Sequence, residues 1–175
     1  AVLTLALGIG ATTTVFSVVY GVLLKPLPWT GADRLVRLSE SRQGSPSRFG
    51  AILTNATYRA WRDRPSTLDG LGAFTSEEMT LADGGDPERV LVTSATSGLL
   101  RLLGARAELG TLFREADEAP GAEPLIVLSS GLWRERFGAN PSVVGRQIRL
   151  DGRPYRVAAV LAPSFVGPVR EARAW

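Results

Sequence analysis

The chain has 175 residues, no cysteine and no histidine, and 20 Lys and Arg against 17 Asp and Glu, giving a formal net charge of +3. This composition excludes disulfides, thiolate and imidazole metal ligands, cysteine nucleophiles and every Ser-His or Cys-His catalytic pair. The basic excess is mild and no segment holds a long basic run, so nucleic acid is not an expected partner.

Residues 1–24, AVLTLALGIGATTTVFSVVYGVLL, carry no charged side chain, and Lys25 and Pro26 follow. About 20 apolar residues suffice for a helix to cross a bilayer, and at ~1.5 Å per residue this run reaches roughly 36 Å. A secretory signal would show a basic start, a shorter apolar stretch and a small-residue cleavage site. Here Lys25-Pro26-Leu27-Pro28 stands in that place. A core helix of a soluble protein would be shorter and keep a polar face. A membrane span is the favoured reading. Ala6, Gly10, Thr14, Ser17 and Gly21 fall on one narrow stripe of that helix. Small residues let membrane helices approach closely, so packing against further membrane helices is expected, although such residues are also common in membrane helices generally. Lys25, Arg34, Arg37 and Arg42 would by themselves place the following side in the cytoplasm, but large domains translocate largely regardless of charge. The expected organisation is a transmembrane helix over 1–24 and a water-soluble domain over 25–175. The chain starts inside the apolar run without Met, so a piece of a longer polypeptide is expected.

Pro26 and Pro28 end the first helix. Leu35-Val36-Arg37-Leu38 reads as a first strand, and Ser41 to Gly50 as a loop. Thr54 or Asn55 can cap a short helix through Tyr58 and Trp61 that ends before Pro65. Leu68 to Leu81 reads as a strand because Gly70 and Gly72 oppose a helix, and Asp83-Gly84-Gly85-Asp86-Pro87 as a turn. Two segments then resemble each other. Val90 to Thr93 runs into Ser97-Gly98-Leu99-Leu100-Arg101 with Gly104 closing, and Leu125 to Leu128 runs into Ser130-Gly131-Leu132-Trp133-Arg134 with Gly138 closing. Each is a strand, a capping Ser, a short helix and a terminal Gly. Gln147 to Leu150, Asp151-Gly152 and Tyr155 to Leu161 form a hairpin. Strands and helices mixed in this order indicate an α+β domain.

Candidate chemistry is sparse. Glu115, Asp117, Glu118 and Glu123 lack the EF-hand pattern and read as a solvated acidic loop. Asp83 and Asp86 read as turn formers. Ser129 and Ser130 sit at a strand end, where a nucleophile could sit, but lack an imidazole base, and a Ser-Lys pair would need Lys25 at the membrane boundary. Gly8-Ile9-Gly10 lies inside the apolar run, and no P-loop motif occurs. Arg146, Arg149, Arg153 and Arg156 straddle the hairpin and read as a solvated face rather than a site for an anionic partner. Trp61 and Trp133 read as core anchors. No catalytic residue, metal ligand or cofactor is expected.

Longer strings carry a resemblance. Ala6-Leu7-Gly8-Ile9-Gly10-Ala11, Val15-Phe16-Ser17-Val18-Val19 and Leu23-Leu24-Lys25-Pro26-Leu27-Pro28 resemble the first membrane helix of MacB-like ABC transporter permeases. Within them they resemble the acidobacterial duplicated orphan permeases. Asp33-Arg34-Leu35-Val36, Val127-Leu128-Ser129 and Leu132-Trp133-Arg134-Glu135-Arg136-Phe137-Gly138 continue the likeness. Pro141-Ser142-Val143-Val144-Gly145-Arg146, Leu150-Asp151-Gly152 and Pro163-Ser164-Phe165 complete it. The motif positions are thus Gly8, Gly10, Phe16, Pro26, Pro28, Trp133, Phe137, Gly138, Gly145, Pro163 and Phe165. Thr12, Leu99-Leu100, Gly110-Thr111 and Ala158-Ala159-Val160 depart from the usual family pattern.

The resemblance implies an extracytoplasmic, periplasmic α+β core domain following the first membrane helix in a bacterial inner membrane. It implies a permease subunit that couples ATP hydrolysis by a separate ATP-binding subunit to substrate export or other extracytoplasmic work. Its implied partners are the other transmembrane helices of the same permease, that ATPase, an extracytoplasmic protein, and a second permease in a homo- or pseudo-dimer. A single-span anchored extracytoplasmic binding or adaptor protein is the alternative.

Overall fold

The computed structural model describes residues 2–21, 27–29, 31–39, 53–64 and 67–175. The chain divides into two units, Ala1–Val36 and Arg37–Trp175.

In the first unit, helix α1 spans Val2–Val19. Three of its hydroxyls are satisfied within the helix: Thr12 Oγ1 donates to the Gly8 carbonyl, Thr14 Oγ1 to Gly10 and Ser17 Oγ to Thr13, each at 2.8 Å. Such bonds let Ser and Thr sit on an apolar helix without an unpaired donor. Ala6, Gly10, Thr14, Ser17 and Gly21 are all exposed, and Phe16 stacks on Tyr20 at 6.2 Å between ring centroids. Among the described residues no helix is long and apolar enough to cross a membrane. Residues 22–24 of the apolar run, with Lys25 and Pro26, lie outside the described residues. Gly31 adopts φ 65° ahead of a 3₁₀ turn at Ala32–Arg34. Residues 35–39 form no strand, contrary to the expectation for Leu35–Leu38. Strand composition is present there, but a strand exists only where a partner pairs with it.

The second unit begins, after the expected loop at 41–50 that lies outside the described residues, with α2 at Asn55–Arg62. Thr54 caps it by accepting from Thr57 N–H at 3.2 Å. The remaining elements are β1 Phe74–Leu81, β2 Glu88–Ala95, α3 Ser97–Leu102, β3 Ala107–Gly110, β4 Leu125–Leu128, α4 Ser130–Phe137, β5 Gln147–Leu150 and β6 Arg153–Leu161. The fold is α+β. Only the second half of the Leu68–Leu81 segment is strand. Gly72 is needed for close approach, because a Cβ there would lie 2.8 Å from Leu99 Cδ1 and 2.9 Å from Leu99 Cα. The expected turn at 83–87 joins β1 to β2, and the Asp151-Gly152 turn has φ 47° and 76°, both left-handed as a two-residue hairpin loop of this kind requires.

β1 pairs antiparallel with β2 along its whole length and meets β5 at Leu81 and Leu150. β5 and β6 form the hairpin. β3 continues the β5 side of β6, and β4 lies parallel on its other side. Residues 173–175 then lie between β4 and β2. Ala174 bridges Leu128 in antiparallel sense and Val92 in parallel sense. The pairing order β2–β1–β5–β6–β4–(173–175) therefore returns to β2. One core cluster holds Leu81, Val92, Ile126, Leu128, Ile148, Leu150 and Val157 with Leu132 and Trp133 of α4. The other holds Leu100, Val127, Ala159, Leu161, Ala172 and Trp175. Alternation along β4, with Ile126 and Leu128 in one cluster and Val127 in the other, buries both faces of that strand.

The β1–β5 junction is held by carboxylates acting where strand carbonyls run out. Asp151 Oδ1 accepts Thr80 N–H at 2.8 Å and Asp83 Oδ2 accepts Arg149 N–H at 2.6 Å. Ala82 N–H donates to the Arg149 carbonyl at 3.1 Å and Asp151 N–H to the Thr80 carbonyl at 3.0 Å. Replacing Asp83 or Asp151 by Ala should each cost about 1 kcal/mol, read as a lower urea midpoint at unchanged slope. After α4, Gly138 (φ 58°) and Ala139 (φ 55°) are both left-handed, and Ala139 is exposed. Ala139→Gly should stabilise the fold by about 0.5–1 kcal/mol, read as a higher melting temperature.

Candidate functional site

The sequence-nominated residues that meet in space cluster around the start of α4. β4 ends at Leu128, and Ser129 turns the chain with its Oγ accepting Leu132 N–H at 3.0 Å. Ser129 is therefore the cap of α4, and Ser130, read from the sequence as the capping residue, is the first residue inside the helix. The shift has a simple cause: a cap must keep extended backbone, and Ser129 does, at φ −68° and ψ 152°. Ser130 is buried and its Oγ donates weakly to Glu108 Oε2 at 3.4 Å. The sister helix α3 is capped differently. Thr96 occupies the cap position but directs its Oγ1 to Ala73 N–H at 3.1 Å, and the Ser97 N–H is taken instead by Glu118 Oε1.

Beside the α4 start lies a recess of about 150 Å³ lined by Ser129, Ser130, Gly131, Arg134, Pro163 and Trp175, among others. Trp175 forms its wall, packed edge-to-face on Phe165 at 5.7 Å and 75°. Trp175 is buried, and its Nε1–H has no hydrogen-bond partner among the described residues. The recess can seat a small polar group, but Ser129 Oγ is committed to the helix cap and the neighbour of Ser130 is a carboxylate. Neither hydroxyl has the geometry of an activated nucleophile.

The other nominated residues are structural. Trp133 is a core anchor whose Nε1–H donates to the Asn140 carbonyl at 2.9 Å. Trp61 is only half-buried on α2 and belongs to neither core cluster, a correction to its reading as an anchor. Phe137 packs on the first cluster, Gly138 closes α4, and Gly145 (φ 86°) donates to the Val157 carbonyl at 2.8 Å. Pro28 is exposed. The acidic loop is not merely solvated. Asp117 accepts Arg114 N–H at 2.7 Å, Glu118 accepts Ser97 N–H, and Glu123 pairs with Arg156 at 2.6 Å. Of the hairpin arginines, Arg156 is thus paired, while Arg146, Arg149 and Arg153 are exposed. Two departures from the family pattern meet: Thr111 N–H donates to the Ala158 carbonyl at 3.1 Å, and a Cβ on Gly110 would lie 2.1 Å from that oxygen.

Electrostatically, Arg173 and Arg136 belong to a network that the sequence did not reveal. Arg173 pairs with Glu88 of β2 and Glu135 of α4. Arg136 donates to the Asp83 carbonyl at 3.1 Å and to the Asp86 carbonyl, and it lies 3.8 Å from Glu88. Away from it, the Asp63 carboxylate bonded to Arg62 Nε raises the Arg62 pKa further above its ordinary value, with no consequence for a guanidinium already charged. Among the described residues no group of three or more carboxylates could hold a metal ion.

Comparison with known proteins follows this architecture. No curated protein matches the sequence. The periplasmic region of MacB from Actinobacillus actinomycetemcomitans shares the fold, at 20% identity and a TM-score of 0.57, over 70% of this chain and 58% of that one. The chain therefore spans less than two thirds of that region. The extracellular domain of the noncanonic ABC-type transporter YknZ from Gram-positive bacteria aligns at 21% identity and a TM-score of 0.47, over 52% of this chain and 48% of that one. A permease-protein domain from Porphyromonas gingivalis aligns at 17% identity and a TM-score of 0.46, over 67% and 54%. The family model of the MacB-like periplasmic core domain matches residues 1–174, and the chain belongs to that family, the extracytoplasmic domains of MacB-like ABC transporter permeases.

Proposed function

We propose that this chain is part of a permease subunit whose extracytoplasmic domain couples ATP hydrolysis by a separate ATPase to substrate export or to other work outside the membrane. The observation that carries this reading is the family match, which runs without a break from the apolar helix through the core domain. The apolar run continues past α1 to Leu24, about 36 Å at ~1.5 Å per residue, so we read it as the first membrane span. The self-bonded hydroxyls of Thr12, Thr14 and Ser17 support that reading, because lipid offers them no other partner. The exposed stripe of Ala6, Gly10, Thr14, Ser17 and Gly21 is where we place the other helices of the permease. A bacterial inner membrane with the α+β domain on its outer side follows from this reading, and so does assembly as a homo- or pseudo-dimer.

In this role the domain performs no bond chemistry. Its two packed clusters transmit displacement between the membrane helices and an extracytoplasmic protein. The full-length polypeptide purified in mild detergent should carry further apolar spans and co-elute with an ATP-hydrolysing subunit. A polypeptide with neither would overturn the permease reading and leave an anchored adaptor. Orientation has a separate check, with any cysteine beyond residues 1–175, which hold none, first replaced by serine. Arg153→Cys and Arg170→Cys, both at exposed positions, should react with a membrane-impermeant maleimide in spheroplasts. Labelling of both only after lysis would place the domain in the cytoplasm.

A further inference from the structure

The β5–β6 hairpin is buried on one face only. Along β5, Ile148 and Leu150 lie in the first core cluster, while Gln147 and Arg149 point the other way and are exposed. Farther along β6 that outer face is covered, because Ala159 and Leu161 lie in the second cluster. Across the hairpin Gln147 pairs with Arg156 and Arg149 with Pro154, so the bare stretch carries two arginines, an amide and a proline. An open trough of about 650 Å³ lies on it, lined by Asp83, Gln147, Arg149, Gly152 and Pro154. Gly152 has no side chain and Pro154 only a short ring, which keeps the floor low.

Charge at this face is left over in a specific way. Arg62, Arg89, Arg156 and Arg173 each pair with a carboxylate. Arg146, Arg149 and Arg153 are exposed, lie close together in the chain, and form no ion pair among the described residues. The carboxylates beside them are already engaged. Asp83 accepts the Arg149 backbone N–H, Asp151 accepts that of Thr80, and Glu123 holds the Arg156 guanidinium. Each is fixed by its donor, so none swings across to neutralise the three free guanidiniums.

The guanidinium is a planar fork that meets a carboxylate through two parallel hydrogen bonds. Side chains on one face of a strand recur at about 6.8 Å, so carboxylates on alternate residues of an extended chain match Gln147 and Arg149. Arg146 directly precedes β5, and Arg153 faces Leu150 at its other end, so both extend the row of donors. A flat surface of lipid phosphates would meet only the rim of the trough, whereas a single extended chain can lie in it.

We propose that the outer face of the β5–β6 hairpin is a docking surface for an acidic, extended segment of a partner protein. Arg146, Arg149 and Arg153 are its carboxylate ligands, and the Gln147 amide is a donor on the floor. This departs from the solvated face that the sequence alone suggests. Complementary charge of this kind selects partners and speeds their encounter more than it adds affinity.

Fluorescence anisotropy on the full-length protein in phosphatidylcholine nanodiscs tests the surface. The probe is a labelled decapeptide of alternating Thr and Glu, compared with its Thr and Gln counterpart. The Glu peptide should bind at least tenfold more tightly, and Arg149→Gln and Arg146→Gln/Arg153→Gln should each weaken it at least threefold. Arg101→Gln, exposed on α3, should leave it unchanged. Equal binding of the two peptides, or an equal loss in Arg101→Gln, overturns the proposal. None of these side chains bonds to another group among the described residues, so their loss leaves the fold intact. A bimane on Gln147→Cys, with any other cysteine replaced by serine, reports on lipid as the occupant. Its emission should be indifferent to brominated phosphatidylglycerol in the discs. Quenching by that lipid puts a membrane headgroup on this face and overturns the proposal.

Discussion

A small sheet has two edges, and each leaves a row of backbone donors and acceptors that must find partners or face water. Here β2 and β4 would both be edges if residues 173–175 were elsewhere, and Leu91, Thr93, Val127 and Ser129 would lose their backbone partners together. The segment meets both demands by pairing in parallel with β2 and antiparallel with β4. Much else is placed by it. Trp175 becomes the wall of the recess at the α4 start, and Arg173 reaches Glu88 and Glu135, which ties α4 to the start of β2. The two core clusters can then lie on opposite sides of β4, since neither edge of that strand is open to solvent at Leu128.

What the sequence revealed, and what it hid, follows from how far apart the interacting residues lie along the chain. The hairpin at 147–161 was legible because its turn, its alternation and its pairing are all local. The paired strand–helix units were legible for the same reason: a β-branched run, a small polar residue and a closing glycine specify each one nearby. β3 was missed. Ala107-Glu108-Leu109-Gly110 has little strand propensity and is a strand only because β6 pairs with it. Leu35–Leu38 failed in the opposite way, having strand composition without a pairing strand among the described residues. Nothing in Arg173-Ala174-Trp175 announces a stave between two strands, because that role is set by edges 44 or more residues away in sequence.

Polar residues show the same division. Asp83 and Asp151 were readable as turn formers, and they are, but their carboxylates also hold backbone N–H groups 66 and 71 residues away. Glu118, read as part of a solvated loop, completes the start of α3 from 21 residues downstream. Local patterns report whether a residue favours a turn or a cap. They do not report which distant donor a carboxylate will finally accept, since that depends on where the sheet brings the chain.

The same reasoning explains why the candidate chemistry dissolved into architecture. Ser129 stands at a strand-to-helix turn, a position that in a hydrolase would expose a nucleophile. Here its oxygen is spent on Leu132 N–H, and the chain has no imidazole to compete for it. A domain can do work if force applied at one place is felt at another, which requires rigid packing. The two clusters supply the packing, with twelve large side chains under 2% exposed. Residues 173–175 bond to both strands they separate, Arg173 to Leu91 of β2 and Trp175 to Val127 of β4. A pull on the chain around Ala174 acts on β2 and β4 directly, whereas a pull on the β5–β6 hairpin is shared among β1, β3 and β4.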